Sequence, residues 1–123
     1  MLAIKEAKAL IDAANINGID AVYTANIPRD VQDTTNKTIV LLTDANSKPT
    51  LYGSNDFNAL NREIEVQVFY ALDLARDPEL IDVDLYKAFA HNSWDLGENH
   101  GHTYDPDTHQ LTSTFYVYSL KII

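Results

Sequence analysis

The sequence predicts an α+β domain in which a mixed, mainly antiparallel sheet of four to six strands carries two packed helices. Two observations lead to this fold class: stretches with strand periodicity outnumber those with helical periodicity, and the two kinds do not alternate along the chain. The 123 residues contain no linker and no internal repeat, so they are expected to form one domain, residues 1–123.

The N-terminal part predicts one helix and two strands. Apolar residues at helical spacing predict a helix over residues 2–15, which Asn17-Gly18 would end in a left-handed turn. Ile19–Tyr23 predicts a short strand, and Ile27-Pro28 indicates a sheet edge or a loop beside one, because proline lacks the N–H of a central strand. The β-branched, apolar run Lys37–Thr43 predicts a strand covered on both faces.

Residues Asp44–Asn61 predict a long loop. They are polar, include Pro49, Gly53 and several Asn, and number eighteen, more than the ~12–15 beyond which structureless connections become uncommon. The apolar residues of this stretch follow no strand or helix period, so they could anchor a partner or cap the domain's own core. They are Leu51, Tyr52, Phe57 and Leu60.

The C-terminal half predicts a strand, a helix and a hairpin. Residues Arg62–Tyr70 alternate between a dry face and a wet face formed by Glu63, Glu65 and Gln67. Residues 77–79, Asp-Pro-Glu, form a favourable helix opening, and the apolar stripe that follows ends near residue 92. Residues 94–104 and 110–123 predict the two arms of a hairpin around a turn at residues 105–108.

Composition excludes several classes of function. Without cysteine the chain cannot form disulfides, thiolate zinc sites or a thiol nucleophile. Eighteen Asp and Glu against nine Lys and Arg give a formal charge of −9, which argues against binding nucleic acid through its phosphates and against docking on anionic lipid.

The histidines are the strongest candidates for a metal site. All four lie within residues 91–109, and the pair His100 and His102 would place both rings on one face of a strand. The alternative is a solvated turn leading into the hairpin, which the small and polar residues 97–102 favour. No nucleophile elbow or phosphate-binding glycine loop is present, and Glu63 with Glu65 is more typical of a solvated face than of a catalytic pair. We therefore expect no catalytic residues, no cofactor and no metal.

Aromatic residues are dense near the C-terminus. In the final predicted strand Phe115 alternates with Tyr116 and Tyr118. If Phe115 belongs to the core, the two tyrosines face a covering helix, a neighbouring subunit or water.

Four stretches carry a resemblance to a known family. Residues Tyr52–Asn58 running into Arg62–Tyr70, and Asp105–Gln110 followed by Thr114–Val117, resemble small proteins encoded in the head-to-tail gene blocks of long-tailed phages and prophages of Gram-positive bacteria. The resemblance extends over most of the chain from about residue 37 and includes the opening helix.

The resemblance implies a virion component of the neck, namely the tail terminator, a small α+β protein that caps the tail tube as a hexameric ring. It further implies contacts with copies of the chain, with the tail-tube protein and with a head connector, at the virion neck after assembly in the host cytoplasm. Another neck or head–tail joining role is the nearest alternative, and a metal-binding module or enzyme using His100 and His102 is the alternative from a different class.

On this hypothesis we assign site residues in two groups. The predicted subunit interface comprises Tyr52, Phe57, Leu60, Tyr116 and Tyr118. The predicted lining of the ring's lumen comprises Glu63, Glu65 and Gln67, whose charge would keep passing DNA from adhering.

Overall fold

The computed structural model describes residues 1–123 and contains two helices on a five-stranded sheet. The elements in chain order are α1 (Ala3–Ala14), β1 (Ala21–Thr24), β2 (Ile39–Gly53), β3 (Asp56–Phe69), α2 (Pro78–Ala90), β4 (Asp95–Tyr104) and β5 (Leu111–Ile122). A single 3₁₀ turn, Arg29–Val31, lies between β1 and β2. The strand order is β1-β2-β3-β5-β4, with β1 and β2 parallel and the other pairs antiparallel. The predicted α+β fold class is confirmed.

Both predicted helices form, and local signals set their ends. The helix α1 is capped by Asn15, which adopts the left-handed conformation at φ 48°, so the prediction that Asn17-Gly18 ends the helix is wrong. The helix α2 begins after Asp77, whose side chain accepts a hydrogen bond from the N–H of Glu79 at 3.0 Å, and Pro78 occupies the first turn. Neither helix is long and apolar enough to cross a lipid bilayer.

Both helices pack on the same face of the sheet. The alternating residues Ile64, Val66, Val68 and Tyr70 are buried beneath them, as the alternation predicts, and Phe115 joins them from β5. The apolar face of α1 and the Ile81, Leu85 and Phe89 stripe of α2 complete this core.

The prediction that the strand at residues 37–43 is covered on both faces is wrong at Leu41. Val40 and Leu42 are fully buried against the helices, whereas Leu41 points to the other face and is only half-buried. Both helices lie on the side of Val40 and Leu42, so neither covers Leu41, whereas Ile39 on the same face as Leu41 is buried as predicted, at 4% exposure.

The predicted loop Asp44–Asn61 is wrong: these residues are paired strands. β2 continues to Gly53, β3 begins at Asp56, and Ser54 and Asn55 form the turn with φ of 53° and 64°. Two successive positive φ values match the tight hairpin turn in which asparagine is favoured. The end of β5 pairs along β3 as far as Ala59. We call residues 47–61 together with residues 119–123 the arm.

The two edges of the sheet are short or irregular. β1 pairs over only four residues, and β2 beyond Leu42 has no partner on its outer side. β4 pairs with β5 through two register shifts, between Leu96 and Asn99 and between Asn99 and His102, and Gly101 adopts φ +73°. These β-bulges turn side chains away from simple alternation along β4.

Gly18 gives a test of the α1–β1 connection. It has φ +104°, and a Cβ there would lie 2.8 Å from Cδ1 of the buried Ile81. We expect Gly18→Ala to lower the free energy of unfolding by about 1–3 kcal/mol, since it combines backbone strain with a clash. Gly101→Ala is the matched control, because it shares a positive φ but has no atom within 4 Å of the added Cβ. Urea denaturation of both variants measures the difference; equal losses would show that contact with Ile81 is irrelevant.

Candidate functional site: the uncovered face of the sheet

The face of the sheet opposite the helices gathers polar and aromatic side chains from β3 and β5. In the strand register Glu65 lies opposite Tyr116, and Glu63 lies opposite Tyr118. Gln67 follows on the same side, because side chains two residues apart in a strand share a face. All five side chains are half-buried. We call them the acidic section of the uncovered face.

The same face continues onto the arm. Asn61 of β3 lies between Lys48 of β2 and Leu120 of β5. Two residues further towards the tip, the same face carries Thr50, Ala59 and Ile122. Tyr52 and Phe57 pair at the tip. The large apolar side chains here are exposed, Tyr52 by 73% and Ile122 by 67%. We call Tyr52, Phe57, Leu120 and Ile122 the apolar section.

Seven of the eight residues assigned from the sequence therefore share one face. The predicted interface residues Tyr52, Phe57, Tyr116 and Tyr118 lie on it together with the predicted lumen residues of the acidic section. The sequence predicts a subunit contact for the first group and the lining of a lumen for the second. Both roles of this face stay predictions.

Leu60 is the eighth residue and lies on the other side of the arm. It lines a cavity of about 300 Å³ with Met1, Leu2 and Arg62, between the start of α1 and the base of the arm. Leu120 and Ile122 were missed as site residues. They follow Tyr116 and Tyr118 at intervals of two residues in the same strand. Strand alternation therefore places all four side chains on one face and is the signal that predicts them.

The acidic section contains a hydrogen bond that orients its groups. The hydroxyl of Tyr116 donates to Oε2 of Glu65 at 2.6 Å. This hydrogen bond is the main reason that the pKa of Tyr116 is raised above its usual value, so the hydroxyl stays protonated as a donor.

The charged side chains of the acidic section, and Lys48 on the arm, take part in no ion pair. No Lys, Arg or His nitrogen lies within 4 Å of the carboxylates of Glu63 and Glu65, and Lys48 has no carboxylate at that distance. Lys48 is thus a free cation at the arm end of the face, and Glu63 and Glu65 are anions without a cation at the other end.

The expectation that His100 and His102 share a face is wrong. The ring of His100 packs at 5.5 Å from that of Tyr116 on the uncovered side, while Nε2 of His102 lies 2.7 Å from Oδ2 of Asp82 on the helix side. The bulge at Gly101 separates the rings. No group of three or more His, Asp or Glu side chains is placed to hold a metal ion.

Asp82 is the centre of a buried polar network that the sequence did not reveal. Its Oδ1 accepts a hydrogen bond from the hydroxyl of Tyr70, which lies 3.2 Å from Oγ of Ser113, and its Oδ2 contacts His102. Burial, followed by the hydrogen bond to Asp82, raises the pKa of Tyr70, so its hydroxyl remains a donor. The network fastens α2 to the end of β3 and to β5.

The whole sequence fits one family profile. DUF806, described as proteins of unknown function, matches residues 2–122, which is nearly the entire chain. The chain belongs to the DUF806 family. No curated protein matches it. The DUF806 match therefore spans both helices, the five strands, the uncovered face and the arm.

The buried network of this DUF806 protein can be tested at Asp82. We expect Asp82→Ala to lower the free energy of unfolding by about 2–3 kcal/mol, because it leaves the hydroxyl of Tyr70 buried without its acceptor. Asp84→Ala is the control on the same helix: Asp84 is partly exposed, pairs with Arg76 at 2.8 Å, and should cost under about 1 kcal/mol. Urea denaturation compares the two, and similar losses would contradict a stabilising role for the network.

Proposed function

We propose that this DUF806 protein is a structural protein of phage virions, the tail terminator that caps the tail tube as a hexameric ring and joins it to the head. The observation that supports this role is the uncovered face with its projecting arm. The domain's own helices leave this surface free, and it carries exposed apolar side chains that favour contact with another protein. Its partners are copies of itself, the tail-tube protein and a head-connector protein.

The resemblance of residues 52–58, 62–70, 105–110 and 114–117 to proteins of phage neck gene blocks supports the same role. The small α+β architecture agrees with what that resemblance implies for a terminator. The proposed role is structural and not enzymatic, with the protein assembled in the host cytoplasm and retained at the virion neck.

The net charge is compatible with a ring through which DNA passes. Each chain has a formal charge of −9, so six copies carry about −54. Such a ring repels the phosphate backbone and would not hold DNA in transit. Specific binding of nucleic acid is not part of the proposal.

The proposed role predicts the appearance of particles that lack the protein. In an induced phage or prophage with this gene disrupted, electron microscopy should show tails of uncontrolled length beside unjoined heads, because the tube would polymerise without a cap. Complementation with the intact gene should restore particles of normal length.

Two other outcomes contradict the terminator role. Tails of normal length that fail to join heads would assign the protein to another neck or head–tail joining function, the nearest alternative. Intact infectious virions would remove it from the virion.

The arm can be shortened without cutting into the core. Thr50 and Ala59 lie directly opposite each other, so Asn-Gly can replace residues 51–58 as a two-residue turn. Because the removed side chains are exposed, we expect the free energy of unfolding to change by under about 1 kcal/mol while ring assembly is lost. Urea denaturation and light scattering measure the two effects; loss of folding would show that the tip belongs to the core, and retained rings would exclude the tip from assembly.

A further inference from the structure

The uncovered face combines two sections of different chemistry along one set of strands. The acidic section carries Glu63 and Glu65 among tyrosines, and the apolar section carries exposed aliphatic and aromatic side chains. The only charged side chain that the register places on the face within the arm is Lys48. One end of the face is therefore apolar and weakly cationic, and the other end is anionic.

These two sections complement each other, but they cannot meet within one chain. Both belong to the same strands and lie one after the other along them, so the sheet holds them apart. Lys48 and the carboxylates of Glu63 and Glu65 accordingly have no oppositely charged partner within 4 Å. A second copy of the chain would supply the missing partner for each section.

We infer that the uncovered face is the surface through which copies of this chain meet, with the apolar section of one copy lying against the acidic section of another. The contact would remove Tyr52 and Ile122 from water and bring Lys48 to unpaired carboxylates. The hydroxyls of Tyr116 and Tyr118 provide large, partly polar contact area beside them. This inference deepens the proposed function and rests on it for self-association; it places Glu63 and Glu65 in a subunit contact instead of the lumen.

The absence of cysteine makes the contact directly testable by disulfide trapping. Tyr52→Cys places a thiol in the apolar section, and Gln67→Cys places one in the acidic section. When the two single variants are mixed under mild oxidation, we expect a covalent pair containing one chain of each. Leu80→Cys, exposed on the solvent side of α2, replaces either partner as the control and should give no comparable product.

Charge reversal gives a second readout on the same pair. Lys48→Glu in the Tyr52→Cys chain should slow trapping by about two- to fivefold, because it brings like charges together. Glu63→Lys in the Gln67→Cys chain should recover the rate, since it restores an opposite pair. Lys48 is exposed and Glu63 is half-buried without an ion pair, so circular dichroism should show an unchanged fold.

The outcomes separate this inference from the proposed ring. The inference is wrong if the disulfide-linked pair forms no faster than with Leu80→Cys, or if the charge changes leave its rate of formation unchanged. Either result is independent of the role of the protein in the virion. A chain carrying both cysteines should form a ladder of covalent oligomers if the contact is head-to-tail, as a ring requires. If the covalent product does not grow beyond a dimer, copies of the chain meet through the uncovered face but do not form the proposed ring.

Discussion

The central strand is longer than the helices that can cover it. Fourteen residues of β3 extend for about 46 Å, whereas helices of twelve and thirteen residues measure about 18–20 Å. Two such helices can bury one face over part of the strand. The excess length of β3 is stabilised by pairing with β2 on one side and β5 on the other, which satisfies its backbone without a core. The arm and the uncovered face both follow from this mismatch.

Each helix is fastened to the central strand by a polar contact at one end of the buried row. Arg62 pairs with Glu6 of α1 and lies 5.6 Å from the ring of Trp94, and Tyr70 donates to Asp82 of α2. Between them the row at positions 64, 66 and 68 is purely aliphatic. Hydrophobic contacts are not directional, whereas each polar contact joins defined atoms, so the two polar contacts add specificity to where each helix lies along the strand.

The sequence predicts the elements whose periodicity is enforced by a buried face. The alternation in residues 62–70 and the apolar stripes of both helices consist of side chains that lie in the core. The strand and the two helices predicted from them are confirmed. Most side chains of the arm are exposed, so Pro49, Gly53 and the asparagines indicate a loop in the sequence. Its residues form strands because β2 pairs with β3 as far as the turn and β5 pairs with β3 as far as Ala59. The placement of His100 and His102 on opposite faces depends on the bulge between Asn99 and His102, which the local sequence does not specify. Likewise, Asp82 is recognisable as structural only once Tyr70 and His102 lie beside it.

The irregular edges of the sheet limit how copies of the chain can associate. An added strand needs a long, flat row of free backbone groups, and β1 offers four residues while β4 is bulged twice. The outer side of β2 is interrupted by a register shift after Asp44 and by Pro49, which has no N–H to donate. Growth of fibrils by strand addition is thereby disfavoured. An assembly built from this chain would therefore use side-chain contacts between faces and not backbone pairing between strand edges.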